Sequence, residues 1–186
     1  SMGMTLVIAT RGIDISVGAT VAISGAIASA LIGGSLEIKD GVQTYVSQTP
    51  MALAILAALG VGLLCGLWNG FLVAGIGMQP IIATLILMVA GRGMALMING
   101  GRIPTFRSDF FSFISSGSIW VIPTRLFVVA GVAVILWAVL RRTAYGLFVE
   151  SVGANPSAAR LTGIATRTVT LGAYGIAGMC AALAGL

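Results

Sequence analysis

Long apolar stretches separated by short polar ones dominate this chain, and the pattern predicts helices that cross a membrane. No acidic or basic residue lies between Asp40 and Arg92, a stretch well beyond the roughly 20 residues that one spanning helix needs. Glycines and a proline at residues 75–80 divide it into two helices. Counting a short segment before Arg11, we expect five or six membrane segments, the others near residues 16–34, 50–74, 80–98, 119–140 and from 168 onward.

The composition agrees with this pattern. The chain is 58% hydrophobic and only 8% charged, whereas soluble domains have about a quarter of their residues charged. We therefore predict an all-α fold, a polytopic transmembrane helix bundle that forms a single domain over residues 1–186 and is surrounded by membrane lipid. The apolar run 3–10 is too short to span a bilayer, and the run from 168 ends without a capping signal. We expect a fragment of a longer membrane protein, truncated at both ends.

Charge and motifs narrow the class of protein. Ten basic residues against five acidic ones give a net charge of +5, but no basic run is interleaved with aromatics, so we expect no nucleic-acid partner. The chain has no His and no CxxC, and Cys65 and Cys180 lie in apolar runs, so no metal site is expected. GxxxxGK[ST], HExxH and GxSxG are also missing. We therefore expect no catalytic residue, no enzymatic activity and no cofactor bound by this chain.

Residues 141–167 form the one long polar stretch between apolar spans. Asn155 is a favourable N-cap, Pro156 fits the first helical turn, and Gly163 suits the left-handed conformation of a helix end. The pattern predicts a short helix over 155–162. Because so short a helix is marginal alone, we expect the segment to lie in the cytoplasm and to dock on a soluble partner, although a solvated connector is the alternative.

Two features interrupt the apolar runs. Residues 11–18, RGIDISVG, predict a discontinuous helix. Asp14 and Ser16 could line a translocation pathway there. Alternatively, Asp14 only caps the helix that follows. Arg92 is an intramembrane charge, which faces the bundle interior with a partner or is a structural Arg near the outer interface. Asn69 could bind a sugar or a neighbouring helix. We assign these four residues to a tentative pathway.

Small residues predict close contact between helices. Gly62, Gly66 and Gly70 follow GxxxG spacing on one face of a predicted helix, which allows two helix backbones to approach. The contact can lie within one subunit or between subunits.

Two stretches together resemble a known family. Residues 12–18, GIDISVG, resemble the GGIDLSVG signature of permease subunits of bacterial sugar ATP-binding-cassette (ABC) importers of the ribose, xylose and galactofuranose type. Residues 153–164, GANPSAARLTGI, resemble the cytoplasmic coupling loop G-x-N-x-x-A-A-x-x-x-G-I of that family, and residues 79–93 fit its helix after a short inner turn. Within the family, the chain looks most like a galactofuranose-type permease.

This resemblance implies ATP-driven import of a monosaccharide across the bacterial inner membrane. A periplasmic sugar-binding protein would deliver the sugar, and a second permease subunit, identical or different, would complete the pathway. A cytoplasmic ABC ATPase would bind and hydrolyse the ATP. The resemblance assigns the coupling of that ATPase to Glu150, Gly153, Asn155, Pro156, Ala158, Ala159, Arg160 and Gly163.

One position departs from the family pattern. The family usually has Gly where this chain has Arg11, so we expect Arg11 either to turn outward or to pair with an acid such as Asp14. Three rival functions stay open at this point. They are a permease for branched-chain amino acids, a channel or secondary carrier that needs no ATPase, and a structural membrane subunit without a pathway.

Overall fold

The computed structural model describes residues 2–32, 36–39, 42–45, 50–100, 118–119 and 122–186. Its helices are α1 (Met2–Ala9), α2 (Val17–Ile32), α3 (Met51–Gly70), α4 (Pro80–Ile98), α5 (Thr124–Arg142), α6 (Ala144–Ala154), α7 (Pro156–Leu161) and α8 (Thr166–Gly185). A π-helical turn, Phe71–Ile76, extends α3. Two antiparallel hairpins lie in the connections, β1 (Leu36–Lys39) with β2 (Val42–Tyr45) and β3 (Ser118–Ile119) with β4 (Ile122–Pro123).

The helices form the predicted all-α polytopic bundle of a multi-pass membrane protein. Among the described residues, three helices are long and apolar enough to cross a membrane, Met51–Ile76, Pro80–Ile98 and Thr166–Gly185. A fourth span results if the pair Leu126–Arg142 and Ala144–Ala154, bent by 78°, is one span. This is fewer than the five or six segments expected, and residues 120–121, inside one predicted span, lie outside the described residues.

Part of the difference arises at the discontinuous helix predicted over residues 11–18, and part at the bent pair, whose first helix is not counted as a span by itself. The structure confirms the break, because α1 ends at Ala9 and α2 begins at Val17. With 16 residues, α2 is roughly 24 Å long at 1.5 Å per residue, which is shorter than the hydrocarbon thickness of about 30 Å. Over the residues that the structure describes, α2 is therefore shorter than a full span.

Helices α3 and α8 approach each other through glycines. A Cβ on Gly66 would collide with the carbonyl oxygen of Tyr174, and a Cβ on Gly178 would collide with that of Gly62. The GxxxG face of α3 therefore packs within the chain, as the first of the two interpretations predicts. Helix α2 packs on α4 in a similar way, with Gly91 against Ala19 and Ile23.

A sharp bend turns α6 away from the direction of α5. At the bend, Gly146 lies so close to the carbonyl oxygen of Leu140 that no side chain fits. The Tyr145 hydroxyl then donates to the carbonyl oxygen of Val169 at 2.9 Å, which ties α6 to the first turns of α8.

We predict that Gly66→Ala destabilises the bundle. The added methyl meets the Tyr174 backbone, which cannot yield as a flexible side chain would, and overpacking of this kind costs roughly 1–3 kcal/mol. Gly60→Ala is the matched control on the same helix, because a Cβ at Gly60 meets nothing within 4 Å. Thermal unfolding in detergent should show a lower Tm for Gly66→Ala and an unchanged or higher Tm for Gly60→Ala. Equal Tm values for the two variants would contradict the α3–α8 contact.

Candidate functional site

The break between α1 and α2 starts as a helix C-terminal motif. The amide of Arg11 donates to the carbonyl of Ile8 and the amide of Gly12 donates to that of Val7, both at 2.9 Å. This is the pattern of a Schellman motif, in which Arg11 takes the left-handed position. Its φ is 61°, a conformation that suits Gly and costs other residues about 1–2 kcal/mol.

Asp14 and Ser16 organise the other end of the break. One carboxylate oxygen of Asp14, Oδ1, accepts from the Ser16 amide at 2.9 Å and from the Ser16 hydroxyl at 2.6 Å. The Ser16 carbonyl in turn accepts from Thr20 in the first turn of α2. Asp14 thus holds Ser16, the residue before α2, and among the described residues its carboxylate accepts from no amide inside α2, so it is not a direct N-cap. The Asp14 side chain is only 4% exposed.

Asn69 joins this pair from α3. Its Nδ2 donates to Ser16 Oγ at 2.7 Å, across 53 residues of sequence. Asn69 is 0% exposed, and its Oδ1 has no hydrogen-bond partner among the described residues. The Tyr174 hydroxyl from α8 reaches the Ile13 carbonyl of the same break at 3.4 Å. Three of the four tentative pathway residues thus form one buried polar cluster, which we define as Asp14, Ser16 and Asn69.

Arg92 does not belong to this cluster. It is exposed on α4, whereas the adjacent Gly91 faces α2. Among the described residues, no hydrogen bond or ion pair joins Arg92 to another residue, so the expectation of an interior partner is not met there. Its neighbours Val89, Met94 and Leu96 are also exposed and apolar. Arg92 therefore stands on a face of α4 that only lipid or another protein segment can cover.

The predicted short helix in the polar segment is confirmed as α7. Asn155 is its N-cap, and its Oδ1 accepts from the amides of Ser157 and Ala158 at 3.0 and 3.2 Å. Pro156 occupies the first helical position. At the other end, the amide of Ile164 donates to the Ala159 carbonyl at 3.0 Å, and Gly163 has a φ of 87°. Both ends of α7 are therefore capped by groups of the chain itself.

One side of α7 packs on the protein and the other is free. Ala159 is buried in a cluster with Val152 and Val169, with Ile164 packed against it. Ala158 is exposed, and Leu161 is 90% exposed. Arg160 Nε donates to the Thr166 hydroxyl at 2.9 Å, so this Arg bends back toward α8. Sequence reasoning did not single out Leu161, whose side chain is the apolar part of this free side.

Gly153 and Glu150 lie on α6, just before α7. A Cβ on Gly153 would collide with the carbonyl oxygen of Ala9, so this glycine lets the end of α6 touch the end of α1. Glu150 is exposed, and within the described ranges it forms no ion pair. Of the eight residues predicted for coupling, Ala159 is buried and Gly153 and Pro156 are partly buried, while Glu150, Asn155, Ala158, Arg160 and Gly163 are exposed.

A cleft of about 410 Å³ separates the break from α7. Three arginines line it, Arg11, Arg160 and Arg167, and no acidic residue does. Residues 73–77 and Pro80, from the turn between α3 and α4, form another wall. The α1–α2 break, this turn and α7 therefore lie at the same end of the bundle. No three His, Cys, Asp or Glu side chains of the described residues come together as metal ligands would.

Comparison with known proteins decides the family. The family model described as the permease component of a branched-chain amino acid transport system matches residues 1–186. The chain belongs to this permease family. Helix α7 lies within residues 153–164, the segment that resembles the coupling loop of the family. Asp14 and Ser16 lie in the segment that resembles its GGIDLSVG signature.

Three similar proteins are named as sugar permeases. The galactofuranose transporter permease YtfT of Escherichia coli K12 is 45% identical over 186 residues, which is 100% of this chain and 51% of that protein. The fructose import permease FruF of Bifidobacterium longum is 42% identical over 99% of this chain and 49% of its own length. The ribose import permease RbsC of E. coli K12 is 33% identical over 100% of this chain and 55% of its own length.

These matches confirm the resemblance to permeases of sugar ABC importers. The chain spans about half the length of these relatives. No solved structure shows a significant match to the chain.

We predict that Ser16→Ala destabilises the protein more than Ser29→Ala does. Loss of the Ser16 hydroxyl leaves the Asn69 amide without its partner and removes a bond to Asp14, and an unsatisfied buried polar group costs about 1–3 kcal/mol. Ser29 is equally buried, but its hydroxyl bonds only to Ala26 in its own helix. Chemical unfolding in detergent should separate the two variants. A Ser16→Ala variant as stable as Ser29→Ala would mean that the cluster contributes nothing to the fold.

Proposed function

We propose that the full-length protein is a membrane-spanning permease subunit of an ABC importer, which carries a monosaccharide across the inner membrane of a bacterium. The names of YtfT, FruF and RbsC support a sugar as the substrate, because all three are sugar permeases. The observation that carries the proposal is α7, a helix with both ends satisfied and one free side. Such a helix is ready to dock before its partner arrives.

The partner that we propose for α7 is a cytoplasmic ABC ATPase. Ala158 has a small side chain that would let a partner come close to the helix, and Leu161 offers apolar surface that docking would bury. Glu150 and Arg160 flank this surface and add charges that orient the encounter. ATP would bind to that partner and none to this chain. Closure of the ATPase would pull on α7 and rock the attached helices.

The translocation pathway that we propose passes the buried polar cluster. Asn69 Oδ1 is an acceptor without a donor among the described residues, and a sugar hydroxyl is a donor that could satisfy it. Because Asn69 is fully buried, this requires α2 and α3 to separate during transport. A periplasmic sugar-binding protein would supply the substrate, and a second permease subunit, identical or different, would complete the pathway.

Import of a branched-chain amino acid is the second candidate, since the description of the family model names that substrate. Uptake of labelled galactofuranose, fructose, ribose and leucine by cells with the complete transporter separates the two. We expect uptake of a sugar and none of leucine. Uptake of leucine alone would favour the second candidate, and uptake without an ATPase would favour a channel or secondary carrier.

We predict that Ala158→Glu or Gly163→Val in the full-length permease abolishes ATP-coupled uptake and leaves the amount of inserted protein unchanged. A glutamate in place of Ala158 would not fit an apolar groove, and a valine in place of Gly163 is disfavoured at a φ of 87°. Ala144→Glu is the matched control for Ala158→Glu, because Ala144 is exposed at the start of α6, where an acidic residue is favourable. Uptake normalised to membrane-inserted permease checks this.

Normal uptake by Ala158→Glu would count against docking through α7. Loss of uptake in Ala144→Glu as well would show that any acid in residues 141–167 interferes, so that the effect is not specific to α7.

We predict that Arg92→Leu lowers transport per inserted protein more than it lowers expression. Arg92 has no partner in the described residues, so its removal leaves the bundle intact, but a cation on an apolar face of α4 needs protein or water around it. Gly93→Leu, at the next exposed position with nothing within 4 Å of its Cβ, controls for bulk. If Arg92→Leu transports as well as the unchanged protein, Arg92 has no part in the pathway.

A further inference from the structure

Arg11 holds two helices together at the cytoplasmic end that we propose. Its Nε donates to the carbonyl oxygen of Gly153 and its Nη2 to that of Ala154, each at 2.7 Å, across more than 140 residues of sequence. These carbonyls belong to the last turn of α6, where carbonyl groups lack partners within the helix. A guanidinium presents its donors in a rigid fork and can bind both at once. Arg11 is exposed, but its guanidinium pairs with these backbone carbonyls of α6 and not with an acid such as Asp14.

The backbone of Arg11 makes this contact unusual. Arg11 holds the left-handed position of the Schellman motif that ends α1, a position that favours Gly. A bulky residue persists in such a conformation only where its surroundings compensate for it. The two short bonds to α6 are the compensation that the structure offers. The positive charge also lies at the negative end of the α6 dipole, which strengthens the contact.

We infer that Arg11 is a positioning residue that ties the coupling helix α7 to the buried polar cluster. On one side of the tie, Ala154 precedes Asn155, the cap of α7. On the other side, Arg11 lies three residues before Asp14, in the same break. Gly153 supports the tie, because only a residue without a Cβ lets α6 approach Ala9 so closely. A displacement of α7 is thereby passed to the turn that carries Asp14 and Ser16.

This inference rests on the proposed function for its role in transport, but the tie itself can be tested without transport. The experiment uses the full-length permease in nanodiscs, alone and with its ATPase, and measures amide hydrogen exchange at residues 156–163. Arg11→Gly removes the two guanidinium hydrogen bonds. Because glycine suits the left-handed φ of this position, the variant should fold. We expect exchange to accelerate roughly tenfold or more, as loss of hydrogen bonds to a charged group would produce.

Two further variants sharpen the readout. Arg11→Lys keeps the charge but cannot bind both carbonyls at once, so its exchange should lie between those of Arg11→Gly and the unchanged protein. Arg167→Gln removes a positive charge from the same cleft, and Arg167 makes no bond to the end of α6 among the described residues. We therefore expect Arg167→Gln to leave the rate of amide hydrogen exchange at residues 156–163 unchanged.

The second measurement is the amount of substrate carried per ATP hydrolysed. We expect Arg11→Gly to hydrolyse ATP at a rate close to normal while carrying several-fold less substrate per ATP, and Arg167→Gln to carry a normal amount. Unchanged exchange in Arg11→Gly overturns the tie. If hydrogen exchange is faster in Arg11→Gly but the amount of substrate carried per ATP is normal, Arg11 has no role in coupling and is a structural residue. If the unchanged protein shows no ATP-dependent uptake, the proposed function fails, and the exchange data still decide the tie.

Discussion

The backbone between α1 and α2 has to satisfy its own polar groups, and the rest of the candidate site depends on how it does so. Inside a membrane protein, an interrupted helix is tolerated only where side chains, water or neighbouring segments replace the lost hydrogen bonds. Here the C-terminal motif of α1 uses the amides of Arg11 and Gly12, and Asp14 accepts the amide of Ser16. A carboxylate is therefore buried at this break because the backbone needs its oxygen.

Close contact between α3 and α8 brings the partners of this break into place. Gly66 lies against the backbone of Tyr174, and Gly70 lies against its Cβ. The Tyr174 ring therefore extends toward the break, where its hydroxyl reaches Ile13. Asn69 stands beside Gly70 on the same helix and reaches Ser16. Larger residues on the glycine face of α3 would hold the two helices apart and separate Asn69 from its partner. One set of glycines thus supports both the bundle and the polar cluster.

The short helix α7 is stabilised by a different means. It buries little, since only Ala159 of its six residues is buried, and its hydrogen bonds are closed by Asn155 at one end and Gly163 at the other. The bend at Gly146 and the Tyr145 bond to Val169 hold the preceding helix against α8. A locally stable helix on a firmly attached arm can transmit a displacement, whereas a flexible connector would absorb it.

The amino-acid sequence by itself determined the helical bundle, the break at residues 11–18 and both ends of α7, because hydrophobic runs, caps and left-handed glycines act over a few residues. It also singled out Asp14, Ser16 and Asn69, since polar groups in an apolar run need partners. Only the tertiary structure decided that these three form one cluster, that Arg92 stands apart and that Arg11 binds the end of α6. Those contacts join residues more than 50 positions apart, and nothing in the local pattern specifies which distant carbonyl or hydroxyl a side chain meets.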